Sequence, residues 1–210
     1  MIRRGIICGF MALGLAGCSA GREVLNSVPL IGSSTPSSTA TQTLNLEGAL
    51  LTISLEGWLE TDRQKSIEGT LYTYKRSGVS LGNLETLDIQ ALRAHADNPV
   101  ETFANSLQNN IREVCKDPSL APLTRRQMGD FQATILRFSC ETKARARAHG
   151  GLRPYEAGLY AIVPTDNAML VIQRAWSGAE RGEDFPVLTL RPDWKEFLDN
   201  LLVSGPAPNT

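Results

Sequence analysis

Apolar and polar residues alternate along Leu51-Thr52-Ile53-Ser54-Leu55-Glu56, which predicts a half-buried strand within residues 46–59 that closes at Gly57-Trp58. The same period of two returns over residues 70–75, where Leu71, Thr73 and Lys75 oppose Thr70, Tyr72 and Tyr74. It returns again over residues 84–93, with Leu87, Ile89 and Ala91 against Asp88, Gln90 and Leu92. The spacing then changes: Val100, Phe103, Ala104, Leu107, Ile111, Val114 and Cys115 form one stripe at helical period. Asp97 or Asn98 can cap this helix, Pro99 suits its first position, Glu101 favours its positive end, and Lys116 to Pro118 stop it. Cys115 is therefore expected on the buried face of the last turn.

Two hairpins follow. Residues 123–128 and 131–141 flank Gly129-Asp130, and in the second arm Gln132, Thr134, Leu136, Phe138 and Cys140 share the core face while Phe131, Ala133, Ile135, Arg137 and Ser139 face away. Residues 159–164 and 168–176 flank Thr165-Asp166-Asn167, with Leu170, Ile172 and Arg174 alternating with Met169, Val171, Gln173 and Ala175. A closing helix is expected from Pro192 to about Val203, its stripe made by Trp194, Phe197, Leu198, Leu201 and Leu202. Strands joined by turns and not by crossovers pair antiparallel, so the class is α+β: an antiparallel sheet packed with two main helices.

The chain before this pattern is of another kind. Arg3 and Arg4 precede an apolar run from Gly5 to Ala16, too short to span a bilayer, which ends in Leu15-Ala16-Gly17-Cys18. This segment resembles the bacterial lipoprotein signal, whose lipobox ends in a cysteine that is lipidated and becomes the new N-terminus. The resemblance implies that residues 1–17 are cleaved, that Cys18 carries the lipid, and that the protein faces the periplasm. Ser19 where an Asp would retain it implies the outer membrane. Several acyl chains, at about 0.8 kcal/mol per buried methylene, hold where one chain is marginal. Residues 18–44, with Ser33, Ser34, Thr35, Pro36, Ser37, Ser38 and Thr39, are expected to be a tether of about 25–30 Å reach. The domain is then residues 45–204, and residues 205–210 are a frayed tail.

With 210 residues, one core is sufficient. The formal charge of −1 grows more negative by two when Arg3 and Arg4 leave, and it gives no long-range pull toward nucleic acid. Of four cysteines, Cys8 and Cys18 belong to the N-terminal segment. Cys115 and Cys140 remain, in a chain addressed to an oxidising compartment, and a disulfide between them is expected. Closing that loop of about 25 residues contributes roughly 3 to 4 kcal/mol. A reactive thiol pair would show a short Cys-x-x-Cys spacing or a cationic setting, and this one shows neither.

The domain pattern resembles the PsbP-like family, which includes the DcrB-type lipoproteins and the Ran-binding Mog proteins. The carriers are Leu51 to Trp58, the helix from Pro99, Gly129 before the Phe131–Phe138 strand, the hairpin with Tyr160 and Val171, and the helix after Asp193. The resemblance implies an αβα sandwich that binds partner proteins or helps envelope complexes assemble, and it implies no catalytic residue.

Chemistry is sparse. His95 and His149 are far apart, which does not suit a metal site, and no Gly-x-Ser-x-Gly, Walker or dinucleotide motif occurs. No cofactor is implied. Every second residue is basic over Lys143, Arg145, Arg147 and His149; if extended, they share one face. Two readings stand: a docking strip for an acidic partner or for anionic lipid or cell-wall groups, or a charged hairpin end that protects an edge strand. The expected function is a non-catalytic binding or assembly module with an envelope protein as partner. An inhibitor or immunity lipoprotein and a small-ligand carrier or enzyme are the alternatives.

Overall fold

The computed structural model describes residues 41–76, 83–93, 99–145, 147, 153–179 and 192–205. The expectations for the signal, for Cys18, for His95 and His149, for the Asp97 or Asn98 cap and for the tail from residue 206 lie outside these residues.

The elements in chain order are β1 (Thr41–Leu46), β2 (Ala49–Ser54), β3 (Trp58–Ser66), β4 (Gly69–Arg76), β5 (Asn83–Leu92), α1 (Val100–Val114), β6 (Cys115–Leu120), β7 (Thr124–Met128), β8 (Phe131–Thr142), β9 (Tyr155–Pro164), β10 (Met169–Gly178), α2 (Pro192–Asp199) and β11 (Leu202–Ser204). The fold is α+β, as the alternation and the turns predict. An eight-stranded sheet runs β3-β4-β5-β10-β9-β8-β6, with β7 also on β8, and a three-stranded sheet runs β1-β2-β11. Every pairing is antiparallel.

Both faces of the large sheet are covered at its centre, which is why β9 and β10 are buried along nearly their whole length. On one face the stripe Ala104, Leu107 and Ile111 of α1 meets Leu136, Phe138, Tyr160, Ile162 and Val171. On the other, Leu51 and Ile53 of β2, Trp194, Phe197 and Leu198 of α2, and Val203 of β11 meet Leu87, Ile89, Leu159, Leu170 and Ile172. At about 1.5–3 kcal/mol per large apolar side chain, these two cores supply the main drive to fold.

Several expectations need correction. β1 takes in Thr41 to Leu44, assigned above to the tether, because its backbone finds a partner in β2 although its side chains are mostly exposed. The strand expected over residues 46–59 is broken by a turn at Glu47-Gly48, both with positive φ, and by the turn at Gly57. The helix stops at Val114, and Cys115 is its extended C-cap and the first residue of β6. Pro99 is the N-cap of α1 and no side chain caps it. The closing helix ends at Asp199; Val203 then lies in β11, paired with Leu51, and Leu202 is exposed.

Candidate functional site

Cys115 and Cys140 are disulfide-bonded, with Cα atoms 5.6 Å apart. The helix end delivers Cys115 to the edge of β8, where it stands opposite Thr142, one diagonal step from Cys140. The bond thus ties the end of α1 to β8, one strand in from the edge of the sheet.

The basic strip does not form over residues 143–147. Residues 144, 145 and 147 are helical, and the Arg147 N–H bonds the Lys143 carbonyl at 3.1 Å. A helical turn cannot place alternate side chains on one face. Two of the four cations are also engaged within the fold. Lys143 Nζ donates to the carbonyls of Arg112 (2.9 Å) and Glu113 (3.1 Å), the free carbonyl end of α1. Arg147 donates to the Thr142 carbonyl at 2.9 Å. Arg145 is exposed, and His149 lies outside the described residues.

Two polar clusters that the sequence pattern does not single out are buried in the sheet. The first is centred on Arg174 of β10, whose side chain is 3% exposed. Its Nε donates to Glu85 Oε1 at 2.7 Å, its Nη2 to Asp193 Oδ2 at 2.8 Å, and its Nη1 to the Asp193 carbonyl at 3.1 Å. Trp58, Trp194 and Phe197 enclose the guanidinium at 5.3–5.7 Å. Arg76 adds a second cation, 3.4 Å from Glu85 and 3.8 Å from Asp193. Two cations face two carboxylates, and Arg174 spends its donors within the cluster. This is an ion-pair network that locks α2 onto β5 and β10. One signal was legible: Arg174 shares its face with Leu170 and Ile172, and a charge on a core-facing stripe requires a buried partner.

The second cluster lies on the α1 face. Thr73, Asp88, Gln173 and Tyr160 occupy one row across β4, β5, β10 and β9. Burial pushes the Asp88 carboxyl up to about 6, against a lowering hydrogen bond from Thr73. Glu156 is on the same face of β9, opposite Cys140 of β8. Burial pushes its carboxyl up to about 8, opposed by a backbone hydrogen bond from Arg153. Tyr160 is raised by burial and further by Glu156 and Asp88. Asp88 and Glu156 stand two strands and four residues apart, about 16 Å between their Cα atoms. That is too far for a catalytic carboxylate pair, whose carboxyl groups stand about 5 to 9.5 Å apart. They are two separate buried acids.

Among the described residues no cluster of three or more His, Cys, Asp or Glu could hold a metal ion. Among them, too, no helix is long and apolar enough to cross a membrane.

No family model matches the chain, and no curated protein matches it. Among solved structures, the crystal structure of PA94, a protein of unknown function from Pseudomonas aeruginosa, is similar at a TM-score of 0.47 and 15% identity. The match covers 81% of this chain and 99% of that one, and at that level it carries no inference about this protein.

Proposed function

We propose that the protein is a lipid-anchored periplasmic lipoprotein of the outer membrane whose single domain acts as a non-catalytic binding and assembly module for an envelope protein. The observation that carries this reading is Leu15-Ala16-Gly17-Cys18 at the end of a short apolar run behind Arg3 and Arg4. The Cys115–Cys140 disulfide supports it, since such a bond persists in an oxidising compartment. The chemistry of the domain supports it as well: its buried acids are isolated from each other, and its most enclosed cation is neutralised by Glu85 and Asp193. The finer fold assignment is part of the same proposal: α1 on one face of the large sheet and α2 on the other suit the αβα sandwich of the PsbP-like family. No cofactor and no nucleic acid enter this reading. Its test is purification of the lipidated protein from crosslinked membranes. A stoichiometric envelope protein is the expected result. Recovery of the protein alone, or with a small molecule in place of a protein, overturns the assembly role.

A further inference from the structure

The spacing of Cys115 and Cys140, 25 residues, is that of a structural bridge, but a buried carboxyl stands across from one cysteine and an irregular edge strand begins at the other. Cys140 is the third residue from the end of β8, between β6 and β9, and is 4% exposed. Directly across from it on β9 is Glu156, 7% exposed, on the same face of the sheet. Cross-strand partners have Cα atoms about 4.5–5.5 Å apart, within reach of a glutamate carboxyl for the neighbouring sulfur. Cys115 is itself 2% exposed, but the chain on its C-terminal side is open. Cys115 begins an edge strand whose pairing with β8 is irregular between Lys116 and Ser119, Lys116 and Asp117 are exposed, and Asp117 has φ of 47°. Attack at Cys115 requires this irregular edge to open, while β9 still holds Cys140 through its pairing at Glu156.

We propose that the Cys115–Cys140 disulfide is a redox-exchangeable bond, opened by an external dithiol that attacks Cys115, with Glu156 as the proton donor to the departing Cys140 sulfur. The reagent's thiolate bonds to Cys115 Sγ; the Cys115–Cys140 bond breaks, its electron pair goes to Cys140 Sγ, and that sulfur takes the Glu156 proton. The reagent's second thiolate then closes on its own mixed disulfide and releases Cys115, which is protonated by solvent. The protein gains two electrons, the dithiol leaves as a disulfide, and Glu156 recovers its proton from water. The direction has a second cause. Cys115 caps the C-terminus of α1, and the negative end of the helix disfavours a thiolate there, so charge develops on Cys140. Glu156, raised to about 8 by burial, holds its proton at neutral pH. The groups around it are Tyr160 on its own strand, Ser177 opposite on β10, and the Arg153 backbone N–H; Lys143 Nζ is held at the α1 carbonyls.

The test follows reduction of the folded protein by dithiothreitol, trapping free thiols by alkylation and mass spectrometry, in the wild type and in Glu156→Gln, with circular dichroism to verify folding. The expected rate rises linearly with dithiothreitol concentration. Normalised to the reagent's thiolate, it falls as pH rises through about 8 in the wild type. In Glu156→Gln it is flat with pH and about tenfold slower at pH 7. Should Glu156→Gln not fold, the concentration dependence and pH profile of the wild type decide alone. A rate independent of dithiothreitol, set by global unfolding, overturns the proposal, as does a wild-type profile without the fall near pH 8 or one that Glu156→Gln reproduces.

Discussion

Arg174 and Glu85 form a buried ion pair at 2.6 Å between β10 and β5, two residues out of direct register, with the aromatic rings of Trp58, Trp194 and Phe197 closed around it. Taken alone, a buried pair is weak evidence for stability, because desolvation consumes most of the attraction; breaking it is another matter. Glu85→Ala leaves the guanidinium with only the half-exposed Asp193 and Arg76 nearby, and should cost about 3 kcal/mol in chemical denaturation. Asp193→Ala, at a side chain 34% exposed, should cost no more than about 1 kcal/mol. Equal losses at both positions would contradict the assignment of Glu85 as the principal partner.

The stability of the protein should fall as pH rises. The folded-state value of Glu156, about 8, exceeds its ordinary 4.5, so the folded chain holds a proton that the unfolded chain has released. That contribution is fully present below about 4.5, declines above it, and is gone above about 8. Asp88 adds a smaller effect of the same sign between 3.8 and about 6. Denaturation across pH 4 to 9 should show a loss on the order of 5 kcal/mol from Glu156, absent in Glu156→Gln, beside the smaller one from Asp88.

Gly129 is held against β11. Its φ is +63°, and a Cβ there would lie 2.3 Å from the Val203 carbonyl oxygen. The same carbonyl accepts the Asp130 N–H at 2.9 Å, and Asp130 Oδ2 accepts the Gly205 N–H at 3.1 Å. Gly129→Ala should therefore detach β11 from the β7–β8 turn and cost about 2 kcal/mol, with faster amide exchange at Val203. Unchanged exchange there would contradict the contact.

Tyr74 carries its hydroxyl into the core without a hydrogen-bond partner among the described residues. Tyr74→Phe removes a desolvated polar atom and keeps the ring, so thermal unfolding should show a gain of about 1 kcal/mol. A loss of that size would mean that the hydroxyl is satisfied.

The parts of this fold that were legible in sequence are those where one face is apolar and the other is not. Leu87, Ile89 and Ala91 in β5 and the α1 stripe fall in this group, whereas the hairpins were legible by their turns: Ala133 and Ile135, expected to face away from the core, are buried in the second core. β3 was missed because Leu59 to Ser66 are all exposed, and its pairing with β4, not an apolar face, defines it. β11 was read as helix because Leu201 and Leu202 continue the spacing of Trp194, Phe197 and Leu198, and only the distant partner β2 makes Leu202 to Ser204 a strand. The buried acids were hidden for a related reason. Asp88 sat in the polar register of an apparently half-exposed strand, and Glu156 fell ahead of the strand start expected at Leu159. A one-sided alternation cannot reveal that α1 covers part of the second face. The basic repeat at residues 143–147 misled in the opposite sense, since Lys143 and Arg147 are consumed by the carbonyls of Arg112, Glu113 and Thr142.

The central claim is the anchor, and it rests on one atom, the Cys18 sulfur. The most direct measurement is palmitate labelling and membrane fractionation of the full chain beside Cys18→Ala. The account predicts a labelled, membrane-bound wild type and an unlabelled variant released from the membrane. Label and membrane association that are the same in both would contradict it.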